Sequence, residues 1–87
     1  MYVIMAYDVA VERVARVLKV GRRYLTWVQN SVLEGELTRA QFERLKAEVR
    51  EVIEESEDSV LFYILRSADW MTREAVGVRK GEPEWML

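Results

Sequence analysis

The sequence predicts a small α+β sandwich, with one antiparallel sheet and two helices on one of its faces. Three observations carry that prediction. Two continuous apolar runs, Tyr2–Tyr7 and Val60–Leu65, have the length of strands and stand far apart in the chain. Two stretches repeat their apolar residues at helical spacing, Glu12–Val20 and Thr38–Ile53. Between them lies Tyr24–Leu37, rich in β-branched and aromatic residues.

Each element has its own justification. Tyr2–Tyr7 alternates poorly, so it reads as a central strand that wants both faces covered. Asp8 ends it. Val11, Val14, Val17 and Leu18 form the apolar stripe of the first helix, and Gly21 stands where a helix C-terminus favours glycine. Tyr24–Leu37 exceeds the usual strand length of roughly 3–10 residues. Two short strands turning near Gln29-Asn30-Ser31 are the better reading. That polar trio reads as a hydrogen-bonded island among apolar neighbours. Thr38 opens the second helix, and Thr38-Arg39-Ala40-Gln41 has the capping-box pattern. Its buried stripe is Phe42, Leu45, Val49, Val52 and Ile53, while its glutamates face water. Glu57-Asp58-Ser59 reads as a turn into the strand Val60–Leu65. Ala75–Val78 reads as a short late strand, and Gly81-Glu82-Pro83 breaks it. The domain is expected over 1–80, with 81–87 as a tail.

The order is strand, helix, strand pair, helix, strand. Right-handed crossovers fold that order into a ferredoxin-like sandwich. Two helices cover only one face of its sheet. A second copy of the chain, sheet to sheet, is the expected cover for the other.

Composition narrows the chemistry. The 87 residues contain no Cys and no His, which excludes disulfides, thiolate sites, histidine bases and histidine-held zinc. Carboxylates, hydroxyls, Arg and Lys remain, together with a hard cation bound by oxygen. With 51% hydrophobic residues in so short a chain, oligomerisation is expected. No run approaches a membrane span, and Met1–Tyr7 lacks the basic start of a signal peptide, so a cytoplasmic protein is expected. Residues 1–40 carry six basic and four acidic residues, 41–58 three and seven, and 59–87 four of each. The acid is thus concentrated on the second helix. Ten of the thirteen basic residues are Arg, the better bidentate phosphate ligand.

Asp8 is the one carboxylate placed directly after a core strand. Two roles stay open for it: N-cap of the first helix, or ligand. If a dimer axis passes near the strand end, two Asp8 side chains converge and repel. A hard cation such as Mg²⁺, which needs only one or two carboxylates, relieves that and activates water for phosphodiester hydrolysis. Arg13, Arg16, Arg22 and Arg23 can form a phosphate-binding edge or a solvated helix face. Trp27, Trp70 and Trp85 serve packing more readily than base stacking.

Several segments together resemble the family of CRISPR-associated protein two. They are Tyr7-Asp8 at the first strand end, the Arg-bearing helix Glu12–Val20, Val28-Gln29-Asn30-Ser31-Val32-Leu33-Glu34-Gly35, the strand Ser59–Arg66, and Gly77-x-Arg79-x-Gly81. The chain departs at Leu33, where the family usually has Phe. The resemblance implies a ferredoxin-like homodimer whose C-terminal strand can add to the partner subunit. It implies a CRISPR adaptation role: a metal-dependent endonuclease acting on RNA or double-stranded DNA, and an adaptor docked to the integrase CRISPR-associated protein one. By that resemblance Asp8 would hold Mg²⁺ or Mn²⁺, with Tyr7 and Arg13 supporting catalysis; Arg16, Arg22 and Arg23 are the nucleic-acid-binding candidates from the reading of the arginine edge above. A purely non-catalytic scaffold and a small regulatory ligand-binding dimer are the alternatives.

Overall fold

The apolar run at the start of the chain forms strand β1 (Tyr2–Asp8), which is hydrogen-bonded on both edges. The computed structural model describes residues 1–77. After β1 come α1 (Val11–Arg22), β2 (Thr26–Gln29), β3 (Val32–Glu36), α2 (Arg39–Val52) and β4 (Ser59–Leu65), then a 3₁₀ turn at Ala68–Trp70. The strands make one antiparallel sheet in the order β2-β3-β1-β4, the ferredoxin-like arrangement. Among the described residues no helix is long and apolar enough to cross a membrane.

Strand pleating sorts β1 residue by residue. Val3, Met5 and Tyr7 are buried under the helices, while Tyr2, Ile4 and Ala6 are half-buried on the other face. Val17 and Val20 from α1, Leu33 from β3, and Phe42, Leu45 and Val49 from α2 complete the core. Phe42 meets Phe62 of β4 edge to face, with centroids 5.2 Å apart. Each fully buried aliphatic side chain here contributes about 1.5–3 kcal/mol. The opposite face is bare over β4, where Leu61 is 53% and Tyr63 55% exposed. The expectation of an uncovered second face therefore holds for the single chain.

Three local expectations change. Gly21 lies inside α1, not past its end. A Cβ there would stand 3.1 Å from Leu33 Cδ2, so glycine lets the helix approach the sheet. Val11 is 86% exposed and outside the apolar stripe, because the buried face of α1 is set by Val17, Val20 and Gly21 and helical phase turns Val11 away from it. Gln29-Asn30-Ser31 is no buried island. Asn30 and Ser31 form the tight turn of the β2–β3 hairpin, with Asn30 at φ 38°, and the Trp27 indole N–H donates to Asn30 O at 2.8 Å. The two-strand reading of Tyr24–Leu37 is the observed one.

After the 3₁₀ turn the chain passes beside the open face, where residues 73–76 share a shallow cleft with Ile4, Val28, Val32 and Glu34. Arg73 pairs with Glu34, which is buried and also accepts from the Tyr2 hydroxyl. Residues 71–77 contain no strand. The remainder of the expected late strand, from Val78, and the expected tail 81–87 lie outside the described residues.

Two polar devices fix the ends of the helices. Thr38 caps α2: Gln41 N–H donates to its Oγ1 at 3.1 Å, and Thr38 N–H donates back to Gln41 Oε1 at 2.8 Å. Asp58 ties three segments together. Arg13 Nε donates to its Oδ2 at 2.5 Å and Nη2 to its Oδ1 at 3.1 Å. The Ala10 and Glu54 amides donate to the same carboxylate at 2.9 and 2.8 Å. Its side chain is wholly buried. The Arg13 guanidinium and the two amides hold its carboxyl well below the usual carboxylate range, against the opposing effect of burial.

Two predictions follow from these devices. Thr38→Ala is expected to lower unfolding free energy by about 1 kcal/mol in urea titration. The Asp58 contribution is present at neutral pH and is lost as pH falls below the ordinary carboxylate range, since the folded state keeps this group ionised longer than the unfolded chain does. Asp58→Asn should therefore melt below the parent at neutral pH, and thermal scans should show that gap closing as pH falls.

Candidate functional site

The sheet places Asp8 at the last position of β1, directly opposite Ser59 at the first position of β4. Alternation sets it on the open face, one residue after the buried Tyr7. Asp8 is exposed. Among the described residues it makes no ion pair, because the polar contacts at this end of the sheet go to Asp58.

The N-cap role for Asp8 is thereby removed. Helix α1 begins at Val11, its N-cap is Ala10, and no side chain caps it. Asp8 stands two residues too early. The amide that a local cap would have approached, that of Ala10, is bonded by Asp58 from across the fold. A carboxylate that is neither cap nor ion-pair partner is open to a ligand.

Tyr7 and Asp8 are neighbours in sequence but occupy opposite faces. Tyr7 is a core side chain, and burial pushes its phenol pKa upward. The structure does not bring its hydroxyl to the Asp8 face. Arg13 is likewise committed elsewhere. Besides gripping Asp58, its guanidinium lies 3.5 Å from both Glu12 and Glu57. Its donors face protein carboxylates, not the Asp8 side chain.

The three arginines read as a nucleic-acid edge also separate. Arg23 pairs with Glu48, which accepts a second bond from the Tyr24 hydroxyl. Arg22 is exposed and rests over the Trp27 ring, 5.9 Å from its centroid. Arg16 is exposed on the outer surface of α1. Arg16 and Arg22 are thus available to phosphate on the helix layer, the far side of the sheet from the open face.

No group of three or more His, Cys, Asp or Glu side chains that could hold a metal occurs among the described residues. At this rim Asp8 is an exposed carboxylate without an ion-pair partner among the described residues, whereas the exposed Glu12 and Glu57 lie against Arg13. That donor set suits a hard, largely hydrated cation such as Mg²⁺, which accepts one or two carboxylates and keeps its remaining waters. It does not suit a soft or fully protein-caged metal.

Sequence reasoning missed two carboxylates. Asp58 looked like an ordinary turn residue, and its partner Arg13 stands 45 positions earlier with no spacing rule to join them. Glu34 looked like part of a motif string; its burial and its partners Tyr2 and Arg73 come only from the sheet and the returning chain. Burial and the Glu34 carboxylate push the Tyr2 phenol up to about 12. A lone acidic residue between apolar neighbours, as in Leu33-Glu34-Gly35, was the available hint.

Comparison with known proteins agrees with this architecture. The family model described as CRISPR associated protein Cas2 matches residues 1–73. The CRISPR-associated endoribonuclease Cas2 of Thermotoga maritima is 57% identical over 82 residues, covering 94% of each chain. Its namesake from Dictyoglomus turgidum is 52% identical over 87 residues, covering all of both chains. A solved structure described as a crystal structure of Cas2 superposes with a TM-score of 0.85 at 46% identity, covering 97% of this chain and 94% of that one. On this evidence of sequence and fold together, the chain belongs to the CRISPR-associated protein Cas2 family.

Proposed function

We propose that this chain is a divalent-cation-dependent endonuclease that cleaves RNA, and that it works as a homodimer in CRISPR adaptation. One observation carries the reading: Asp8 is an exposed carboxylate without an ion-pair partner among the described residues, at the rim of a sheet face whose apolar side chains are bare over β4. The names of the relatives, endoribonucleases, support RNA as the substrate. The exposed Leu61 and Tyr63, beside the half-buried Ile4 and Ala6, favour a second copy as the cover for that face. Two open faces pressed together would bring two Asp8 carboxylates towards one another, where Mg²⁺ or Mn²⁺ would be held between them.

The roles of the chain's own residues follow. Asp8 binds the cation and, as a carboxylate near a phosphodiester, would repel the substrate without it. The cation, when bound, supplies positive charge to the phosphate and a more acidic water. The apolar rows of the two sheets exclude solvent around the carboxylate pair. Tyr7 supports β1 from below as a core side chain, and Arg13 holds the first turn of α1 through Asp58.

A second activity rests on the exposed Arg16 and Arg22. Their position on the helix layer, away from Asp8, favours an adaptor surface that grips duplex DNA while the dimer docks to the integrase CRISPR-associated protein one.

These two activities are separable. Asp8→Asn is expected to keep the dimer, measured by light scattering, and to reduce Mg²⁺-stimulated RNA cleavage to the level of RNA incubated without protein. Undiminished cleavage by Asp8→Asn would remove Asp8 from the mechanism. The double variant Arg16→Glu and Arg22→Glu should cleave RNA but bind duplex DNA more weakly and with a shallower salt dependence in gel-shift titrations. Duplex affinity unchanged in that variant would place the adaptor surface elsewhere.

A further inference from the structure

The open face carries a row of side chains along β4: Ser59, Leu61, Tyr63 and Leu65. Three are apolar. The fourth, Ser59, is the direct cross-strand partner of Asp8. Paired residues on antiparallel strands share a face, with Cβ atoms about 4.5–5.5 Å apart. Ser59 and Asp8 therefore form a polar pair at the rim, and both are exposed.

Ser59 is also anchored. Its neighbour Asp58 is gripped by Arg13 and by the amides of Ala10 and Glu54. That grip ties the beginning of β4 to the segment that follows β1. The first residue of a strand ordinarily frays; this one is held opposite Asp8. The hydroxyl itself makes no bond to Asp58, whose oxygens serve those three donors.

A hydroxyl oxygen accepts hydrogen bonds, and waters on a hard cation need acceptors that orient them. We propose that Ser59 is a positioning residue of the Asp8 site, its Oγ accepting a hydrogen bond from a water carried by the divalent cation. The assignment rests on the metal-dependent reading of Asp8 given above. It gives the site a second oxygen that the carboxylate inventory does not contain. It also gives the Arg13–Asp58 pair a functional consequence, since that pair keeps the hydroxyl in place.

The test uses the full-length protein and Mn²⁺ as a paramagnetic probe. Mn²⁺ affinity is read by electron paramagnetic resonance for the parent, Ser59→Ala, Ser59→Thr and Asp8→Asn, with thermal melts alongside. Ser59→Ala is expected to weaken Mn²⁺ binding about three- to tenfold, the worth of one hydrogen bond, with an unchanged melting temperature. Ser59→Thr, which keeps the hydroxyl, should restore parental affinity. Parental affinity in Ser59→Ala, with binding lost in Asp8→Asn, would overturn the Ser59 assignment alone. Mn²⁺ binding that survives Asp8→Asn would overturn the metal reading of Asp8 and the Ser59 assignment with it.

Discussion

Two helices can cover one face of a four-stranded sheet, and the rest of this molecule is arranged around that limit. Along β1 the pleat sends Val3, Met5 and Tyr7 under the helices and leaves Tyr2, Ile4, Ala6 and Asp8 on the uncovered side. Hydrogen bonding on both edges of β1 carries the same division into its neighbours. Leu33, Val60 and Phe62 fall inward, whereas Val32, Leu61 and Tyr63 fall outward. An apolar surface with an acidic rim is the direct outcome. Asp8 owes its exposure to parity, because a shift of one residue in register would bury it and present Tyr7 instead.

Buried charge is handled by a similar device at two places. Asp58 and Glu34 are both shielded carboxylates, and each is matched by an arginine together with further donors. Such pairing is what makes burial of an ion tolerable, since one left without partners would be far costlier than the pair is favourable. The two sites join segments distant in sequence. Asp58 connects the start of α1, the end of α2 and the start of β4, and Glu34 connects β3 to the chain returning after β4. The polar contacts therefore act as ties between layers and ends that apolar packing alone would leave loosely registered.

The arginines are sorted by the same topology. Arg13, Arg23 and Arg73 face protein carboxylates, and Arg16 and Arg22 face outward on α1. Net charge and the abundance of arginine describe the pool from which a nucleic-acid surface is drawn. They do not say which members are already engaged. That sorting decides whether substitution of a given arginine changes stability or changes contact with a polyanion.

Local physics was sufficient for much of this protein. The strands, the two helices, the hairpin and the Thr38–Gln41 capping box follow from periodicity and from interactions within four residues. The same reasoning placed Asp8 at a strand end and identified a sheet face without a cover. Tertiary structure alone decided that Asp8 is not a helix cap, that Arg13 belongs to Asp58, that Gly21 serves close packing against Leu33, and that Ser59 stands opposite Asp8. The physical reason is common to all four. Each depends on residues brought together across 12 to 51 positions by strand pairing or helix docking, and no spacing along the chain encodes which distant partner arrives.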